Sequence, residues 1–280
     1  MDRITGIHHI TAVAGNPQEN VDFYHALLGQ RLVKTTVNFD DPGTYHFYFG
    51  DEIGSPGTIL TFFPWRGMPK GTRGNGEVAA VSYSVSIDAI DYWRDRLTEH
   101  SLTVQEEERF GIPLLAFEDP DGMTLELIAE SESRPVCHWT SGPIPPERAL
   151  RGFYGVTLWV SDARPTTRLL TEIMGYELVT QEGDRYHFRA SSDQMGAHVD
   201  LLEKPGLPDA RLGVGSVHHV AFRTADDNEQ IAYQQSLAAA GLRVTSVQDR
   251  QYFRSIYFRE PGGVLFEIAT GVATLHFEKD

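Results

Sequence analysis

Near the start of the chain, Ile7-His8-His9-Ile10-Thr11 has a near-copy far downstream, Val217-His218-His219-Val220-Ala221. Each is a histidine pair inside an apolar, β-branched run, and such a run predicts a buried strand. Successive strand side chains point to opposite faces, so strict alternation admits one histidine of each pair to a given cavity and turns His8 and His218 away from it. A third run, Val264-Leu265-Phe266-Glu267-Ile268-Ala269, sets a carboxylate in mid-strand. A lone buried charge is costly unless it is paired or binds a metal. His9, His219 and Glu267 are therefore candidate ligands of one metal ion. Two neutral imidazoles and one carboxylate on one face of an octahedral ion leave three adjacent positions for outside ligands.

Structural alternatives weigh against each residue taken singly. An isolated strand histidine is more often a hydrogen-bonded core residue than a ligand. Two matched pairs change that balance. Glu267 alone could be the buried partner of Arg259 or Arg254. His46 and His187 recur in both halves of the chain, which favours a structural role. His25, His100, His138, His198 and His276 belong to no constellation. Gly262-Gly263 reads as a hairpin turn, because no Lys-Ser/Thr and helix follow it to make a phosphate cradle. No serine lies in a nucleophile elbow, and Cys137 falls in a linker, so nothing points to a hydrolase.

The elements that must position these residues fall into four units of similar layout. The first predicts a strand over 4–13 and a helix opened by Asn16-Pro17 and closed by Gly29, with Val21, Tyr24, Leu27 and Leu28 on one face. Strands follow near 31–38, 45–50 and 57–63, separated by Asp41-Pro42-Gly43 and Gly54-Ser55-Pro56-Gly57. That is a β-α-β-β-β unit. The second has a strand over 78–85, a helix over 87–100 with Ile90, Trp93 and Leu97 buried, and strands near 104–109, 113–118 and 123–129. A stretch rich in Pro and Ser, 131–146, reads as a linker. In the third unit Met174-Gly175-Tyr176-Glu177-Leu178-Val179 answers Leu28-Gly29-Gln30-Arg31-Leu32-Val33, and Tyr186-His187-Phe188 answers Tyr45-His46-Phe47. In the fourth, Glu260-Pro261-Gly262-Gly263-Val264-Leu265-Phe266-Glu267 answers Asp119-Pro120-Asp121-Gly122-Met123-Thr124-Leu125-Glu126. The expected fold class is α+β, with an N-terminal pair of units over 1–135, a linker over 136–149 and a C-terminal pair over 150–280.

The repeat is an internal control. Ala79-Ala80 stands where the fourth unit has His218-His219, and Tyr154-Gly155 stands where the first has His8-His9. Two of the four units do without the histidines, so the fold does not require them. Glu126 keeps the position of Glu267 without histidine partners, which reads as a structural carboxylate paired to some cation.

Composition bounds the partners. A net charge of −15 argues against a nucleic-acid backbone or an anionic membrane. No segment is apolar for long enough to span a membrane, and no secretory signal is visible at the N-terminus. The single cysteine rules out an internal disulfide framework and fits a cytoplasmic location.

The repeats, the Gly-Ile-His-His-Ile-Thr opening and the Glu-Pro-Gly-Gly-Val-Leu-Phe-Glu-Ile-Ala ending resemble the vicinal oxygen chelate superfamily, and within it the ring-cleaving dioxygenases of the hydroquinone-dioxygenase type. The resemblance covers nearly the whole chain. It implies four βαβββ modules forming two cupped mixed sheets, whose first and last strands supply ligand slots. It implies Fe(II), with Mn(II) as the other admissible ion, held by His9, His219 and Glu267. It places His8, Thr11, His218, Arg250 and Tyr257 around that ion. Two departures stand out. Family members usually continue well past the last strand, whereas this chain ends soon after Ile268, which would bear on pocket closure or oligomer contacts. Phe153-Tyr154-Gly155 lacks the histidine that relatives often carry, which speaks against a metal site built from units three and four alone.

Opening an aromatic ring with O2 needs room for a phenolic substrate beside dioxygen, and coordination lowers the pKa of the bound hydroxyl. The last strand of unit one, Thr58-Ile59-Leu60-Thr61-Phe62-Phe63, offers no acid, so three protein ligands are expected. With His9 in unit one and the other two ligands in unit four, those two units must pack together. Thr11, on the strand face of His9, would anchor a water or peroxo oxygen, Arg250 stabilise an anionic intermediate and Tyr257 hydrogen-bond the substrate oxygen. His8 and His218 are candidate proton shuttles, because an unperturbed imidazole titrates near neutrality. The expected activity is oxygen-consuming cleavage of a hydroquinone or related diphenol, in aromatic-compound degradation. A glyoxalase-type isomerase or lyase is the first rival; it requires a fourth ligand and no oxygen. A metal-free sequestering protein of the antibiotic-resistance kind is the second; its ligand affinity would survive chelation. Sheet edges leave a homo-oligomer open.

Overall fold

The structure, a computed structural model, describes residues 4–37, 43–131, 136–192 and 194–271. The expected turn at 41–42, part of the linker and the tail at 272–280 lie outside the described residues. Four βαβββ units follow one another. The first holds β1 (Ile7–Ala14), α1 (Pro17–Val21), β2 (Arg31–Val37), β3 (Tyr45–Gly50) and β4 (Ile59–Pro64). The second holds β5 (Glu77–Ser86), α2 (Ile90–Glu99), β6 (Gln105–Arg109), β7 (Ile112–Glu118) and β8 (Thr124–Glu130). The third holds β9 (Phe153–Val160), α3 (Ala163–Arg168), β10 (Glu177–Glu182), β11 (Arg185–Arg189) and β12 (His198–Glu203). The fourth holds β13 (Val217–Thr224), α4 (Asp227–Ala239), β14 (Gln248–Asp249), β15 (Arg254–Arg259) and β16 (Leu265–Thr270).

Local chemistry sets the helix starts. Asn16, Asp162 and Asp226 each cap a helix by accepting a backbone N–H through the side chain. The helices of units one and three each run on into a π-helical turn, Asp22–Leu27 and Leu169–Ile173, a symmetric departure from the plain helix the spacing predicts. On α2, Trp93 and Leu97 form the buried stripe.

The strands form two curled eight-stranded sheets, each drawing one unit from either half of the chain. The first runs β14-β15-β16-β13-β1-β4-β3-β2 and joins units four and one through an antiparallel β1·β13 pair. The second runs β10-β11-β12-β9-β5-β8-β7-β6 and joins units three and two through β5·β9. One continuous apolar core includes residues of both sheets.

Both central pairs carry two β-bulges at matching places. In β1·β13 the extra residues are His8, between the pairs Ile7↔Phe222 and His9↔Ala221, and His218, between Thr11↔His219 and Ala12↔Val217. In β5·β9 they are Ala79 and Tyr154. A bulge sets two residues against one and breaks the alternation of faces. Ala79 and Tyr154 are the residues that replace histidines, so the bulge belongs to the fold and not to the imidazoles.

Two buried polar contacts tie one unit's helix segment to the next unit's turn. Tyr24 OH donates to Asp119 Oδ2 at 2.9 Å, and Thr166 Oγ1 donates to Glu260 Oε2 at 2.7 Å. Burial raises the Asp119 carboxyl from 3.8 to about 6. The native state then keeps a proton that the unfolded chain has lost between these values, so this contribution to stability declines as pH rises toward 6. In urea unfolding, the wild type should gain about 1 kcal/mol on Asp119→Asn between pH 7 and pH 5. A difference that does not change with pH would contradict the assignment.

Candidate metal centre

The bulges determine what each histidine pair presents. Where alternation would turn His8 and His218 away, the structure sets His8 Nδ1 2.9 Å from His9 Nδ1, and His218 Nδ1 2.8 Å from His219 Nδ1. The Phe253 ring packs on both His8 and His9, with centroids 5.0 and 5.3 Å apart. Across the sheet, His219 Nε2 lies 3.4 Å from His9 Nε2. Glu267 Oε2 lies 3.0 Å from His219 Nε2 and 3.5 Å from His9 Nε2. Neighbouring ligands about 2.1 Å from an octahedral ion stand about 3 Å apart, so these three atoms have the spacing of one face of such an ion. Among the described residues this is the cluster of His, Cys, Asp and Glu able to hold a metal.

The electrostatics suit the same purpose. Glu267 is fully buried; its Oε1 accepts from Ser255 Oγ, and its Oε2 accepts no well-aligned hydrogen bond. Burial would raise this carboxyl, but the adjacent imidazoles of His9 and His219 hold it well below the usual range. Burial lowers His219 against the pull of Glu267. An ionised carboxylate with an unsatisfied oxygen beside two imidazole nitrogens fits a divalent ion. An ion taking Nε2 of His9 and His219 would leave their protons on Nδ1, placed to donate to His8 and His218. The outer histidines thereby fix the tautomer and orientation of the inner ones. Burial lowers His8 to about 3 and His218 to about 4. Both therefore lie below the near-neutral value on which the proton-shuttle expectation was based.

Register shows what occupies the fourth ligand slot. Glu267 pairs with Ala221, two residues past His219, and Thr61 pairs with Thr11, two residues past His9. The second sheet repeats this with Glu126 opposite Ser82 and Asp200 opposite Thr157. Three of the four equivalent slots hold acids, and beside the triad the fourth holds a threonine.

The second sheet balances its acids with arginines. Arg109 grips Glu126 with both guanidinium nitrogens, at 2.9 and 2.6 Å. Arg185 lies 2.8 Å from Asp200, which also accepts from His187 Nδ1 at 2.6 Å. Counting along the hairpins from Ala116↔Glu126 and Tyr257↔Glu267, Arg109 and Arg250 fall at the same place. Arg250 Nε instead lies 3.3 Å from Tyr257 OH, and among the described residues no ion pair joins Arg250 to Glu267. The two arginines weighed as partners of Glu267 are engaged elsewhere, Arg254 with Asp227 and Arg259 with the Gly263 carbonyl.

The remaining expected residues gather around the triad. Tyr257 faces His219, with ring centroids 5.8 Å apart, and Thr11 is buried against Thr61. Sequence reasoning missed Ser255, Phe253, Thr61 and Tyr48, and set His46 aside as structural. His46 accompanies Tyr48 at a centroid separation of 4.1 Å and Phe63 at 4.4 Å, and the Phe63 ring reaches His218 at 6.0 Å. The alternation of Tyr48 with His46, and of Thr61 with Phe63, was the available signal. The Tyr-His-Phe match between 45–47 and 186–188 concealed it, and the register breaks that match by setting His187 in the place of Tyr48.

The model of the glyoxalase/bleomycin resistance protein/dioxygenase superfamily matches residues 6–127 and 153–268. The chain belongs to this superfamily. It is 49% identical over 265 residues to MhqO of Bacillus subtilis (strain 168), assigned as a ring-cleaving dioxygenase; the match covers 95% of this chain and 84% of that protein. It is 38% identical over 288 residues to a chlorohydroquinone/hydroquinone 1,2-dioxygenase of Sphingobium indicum, covering 99% and 88%. A crystal structure assigned as a Bacillus subtilis dioxygenase superposes with a TM-score of 0.92 at 47% identity, covering 96% of this chain and 86% of that one. Glyoxalase I from Zea mays, at 14% identity and a TM-score of 0.71 with 95% and 92% covered, shares the fold.

Two outcomes follow for this superfamily member. Chelator-treated protein should bind one divalent ion per chain and gain about 3 kcal/mol of stability at a hundredfold excess over Kd, read as a rise in Tm. His9→Ala, His219→Ala and Glu267→Gln should each abolish that rise. Separately, Arg109→Met should cost about 3–5 kcal/mol in urea unfolding by stranding buried Glu126, and adding Glu126→Gln should recover most of it. An unaffected Arg109→Met protein would refute the pairing.

Proposed function

We propose that the chain is an Fe(II)-dependent dioxygenase that opens the ring of a hydroquinone or related diphenol with O2. The observation that carries this reading is Thr61 in the fourth ligand slot. With three protein ligands, His9, His219 and Glu267, two outside molecules have room at one ion. The similarity to ring-cleaving enzymes, one of them named for hydroquinone, supports the substrate class. Bound Fe(II), or Mn(II) in its place, would supply a Lewis acid that lowers the pKa of a phenolic hydroxyl and a redox centre able to activate O2.

The chain's own residues do the rest. Burial pushes the Tyr257 phenol up, so it stays protonated and offers a hydrogen bond to a substrate oxygen. Arg250, over the Tyr257 ring at 5.3 Å, adds a fixed positive charge that favours the phenolate form of the substrate. Phe253 on one side and Phe63 with Trp65 on another, their centroids 5.3 Å apart, provide flat apolar surfaces for an aromatic ring. His8 and His218 hold the ligand imidazoles in place and offer neutral acceptors. The isomerase reading needs a fourth protein ligand, and Thr61 stands where it would be. A cytoplasmic location is proposed from the single cysteine, and no helix among the described residues is long and apolar enough to cross a membrane.

Anaerobic loading with Fe(II), followed by oxygen uptake against hydroquinones and catechols, tests the proposal. Uptake with hydroquinones is expected. Thr61→Glu, which fills the fourth slot, should retain metal and lose uptake by at least about a hundredfold. Turnover of a glyoxalase substrate without oxygen, or no uptake from fully iron-loaded protein, would overturn the reading.

A further inference from the structure

The register of the first sheet sets five residues in one transverse row. Lys34 pairs with Tyr48, Tyr48 with Thr61, Thr61 with Thr11, and Thr11 with the triad ligand His219. The row runs from edge strand β2 to the metal centre. Hydrogen bonds link its middle through His46. Tyr48 OH lies 2.9 Å from His46 Nδ1, His46 Nε2 lies 2.9 Å from Thr61 Oγ1, and Thr61 Oγ1 lies 2.9 Å from Thr11 Oγ1. Thr61 and Thr11 are almost wholly buried, at 0% and 1% exposure, so water does not replace these contacts.

We propose that Tyr48, His46 and Thr61 form a one-way hydrogen-bond relay that holds the Thr11 hydroxyl as a donor toward the face carrying His9 and His219, where it meets an oxygen of the bound diphenol. The three are positioning residues. The identity of the acceptor rests on the ring-cleaving reading, whereas the direction of the relay does not.

The direction follows from acidity. Burial pushes the Tyr48 phenol up, so it stays protonated. A phenol is a stronger acid than a neutral imidazole N–H, so Tyr48 donates to Nδ1 and the ring proton sits on Nε2. His46 then donates to Thr61, and Thr61 to Thr11. Thr11, having accepted, has its own proton to give. A positively charged ring would donate at both ends and break the sequence. Burial, reinforced by the nearby His9 and His219, lowers His46 to about 2 and keeps it neutral.

The second sheet lacks such a relay at the corresponding positions. Asp200 stands in the place of Thr61, and the register that sets Tyr48 opposite Thr61 sets His187 opposite Asp200; Asp200 takes His187 Nδ1, and the other nitrogen of that ring lies 3.1 Å from His198 Nδ1. His187 thus holds the place of Tyr48 and Arg185 that of His46, and both serve the Asp200 ion pair where the first sheet has an uncharged chain. A carboxylate at Thr61 would compete for the metal, whereas a hydroxyl passes a hydrogen bond along without taking a ligand position.

Imidazole 15N–1H spectra of the full chain loaded with diamagnetic Zn(II) test the direction. His46 is expected to carry its proton on Nε2 with Nδ1 accepting, and Tyr48→Phe to shift Nδ1 toward a free acceptor while the His9 and His219 signals stay in place. A His46 proton on Nδ1 overturns the relay whatever the enzyme turns over. In the Fe(II)-loaded protein, Thr61→Val should lower kcat about tenfold with KM for hydroquinone and iron content unchanged, and Thr61→Ser should restore it. No effect of Thr61→Val, a loss confined to KM, or an equal loss in Thr61→Ser overturns the proposal. Should the wild type turn over no hydroquinone, the ring-cleaving reading fails and the tautomer of His46 still decides the relay.

Discussion

A carboxylate with no exposure to solvent and one oxygen lacking a well-aligned hydrogen bond is the constraint around which the first sheet is arranged. Glu267 sits beside the imidazoles of His9 and His219, and the arginine at the corresponding place in the sister unit grips its glutamate, whereas Arg250 lies against Tyr257. Taking such a charge out of water costs several kcal/mol unless a cation repays it. A divalent ion facing His9, His219 and Glu267 would do so. The paired imidazoles, the bulges that bring each pair together and the serine on the far oxygen then serve one end.

The second sheet makes the comparison quantitative in kind. Both sheets have the same strand order, the same bulges and equivalent slots. Where the histidine pairs are absent, two acids meet two arginines, with His187 also on Asp200. In the first sheet, one acid has become Thr61 and the other keeps an unsatisfied oxygen. One duplicated frame therefore supports two settings for a buried acid, guanidinium groups in one cup and a His-His-Glu triad with the spacing of metal ligands in the other.

Much of this was legible in the sequence. The repeats gave the four units, and the histidine pairs with Glu267 named the residues that come together. The packing of unit one against unit four followed from where those ligands lie. The orientation of His8 and His218 was not legible, because a bulge depends on pairing register between strands more than two hundred residues apart. Thr61 was visible only as the absence of an acid. Its place opposite Thr11, and its contact with His46, depend on three strands converging. His46 was set aside because His187 looked like its copy; the strand register sets His187 in the place of Tyr48, so the two histidines are not equivalent. Ser255 and Phe253 carry no signature of their own and become apparent only from their neighbours.

The most direct test of this account is anomalous diffraction from crystals of the Fe(II)-loaded protein grown without oxygen. The account requires one iron per chain within about 2.3 Å of His9 Nε2, His219 Nε2 and a Glu267 oxygen, with Thr61 outside the coordination sphere. Iron bound elsewhere, or a fourth protein ligand at that ion, would contradict it.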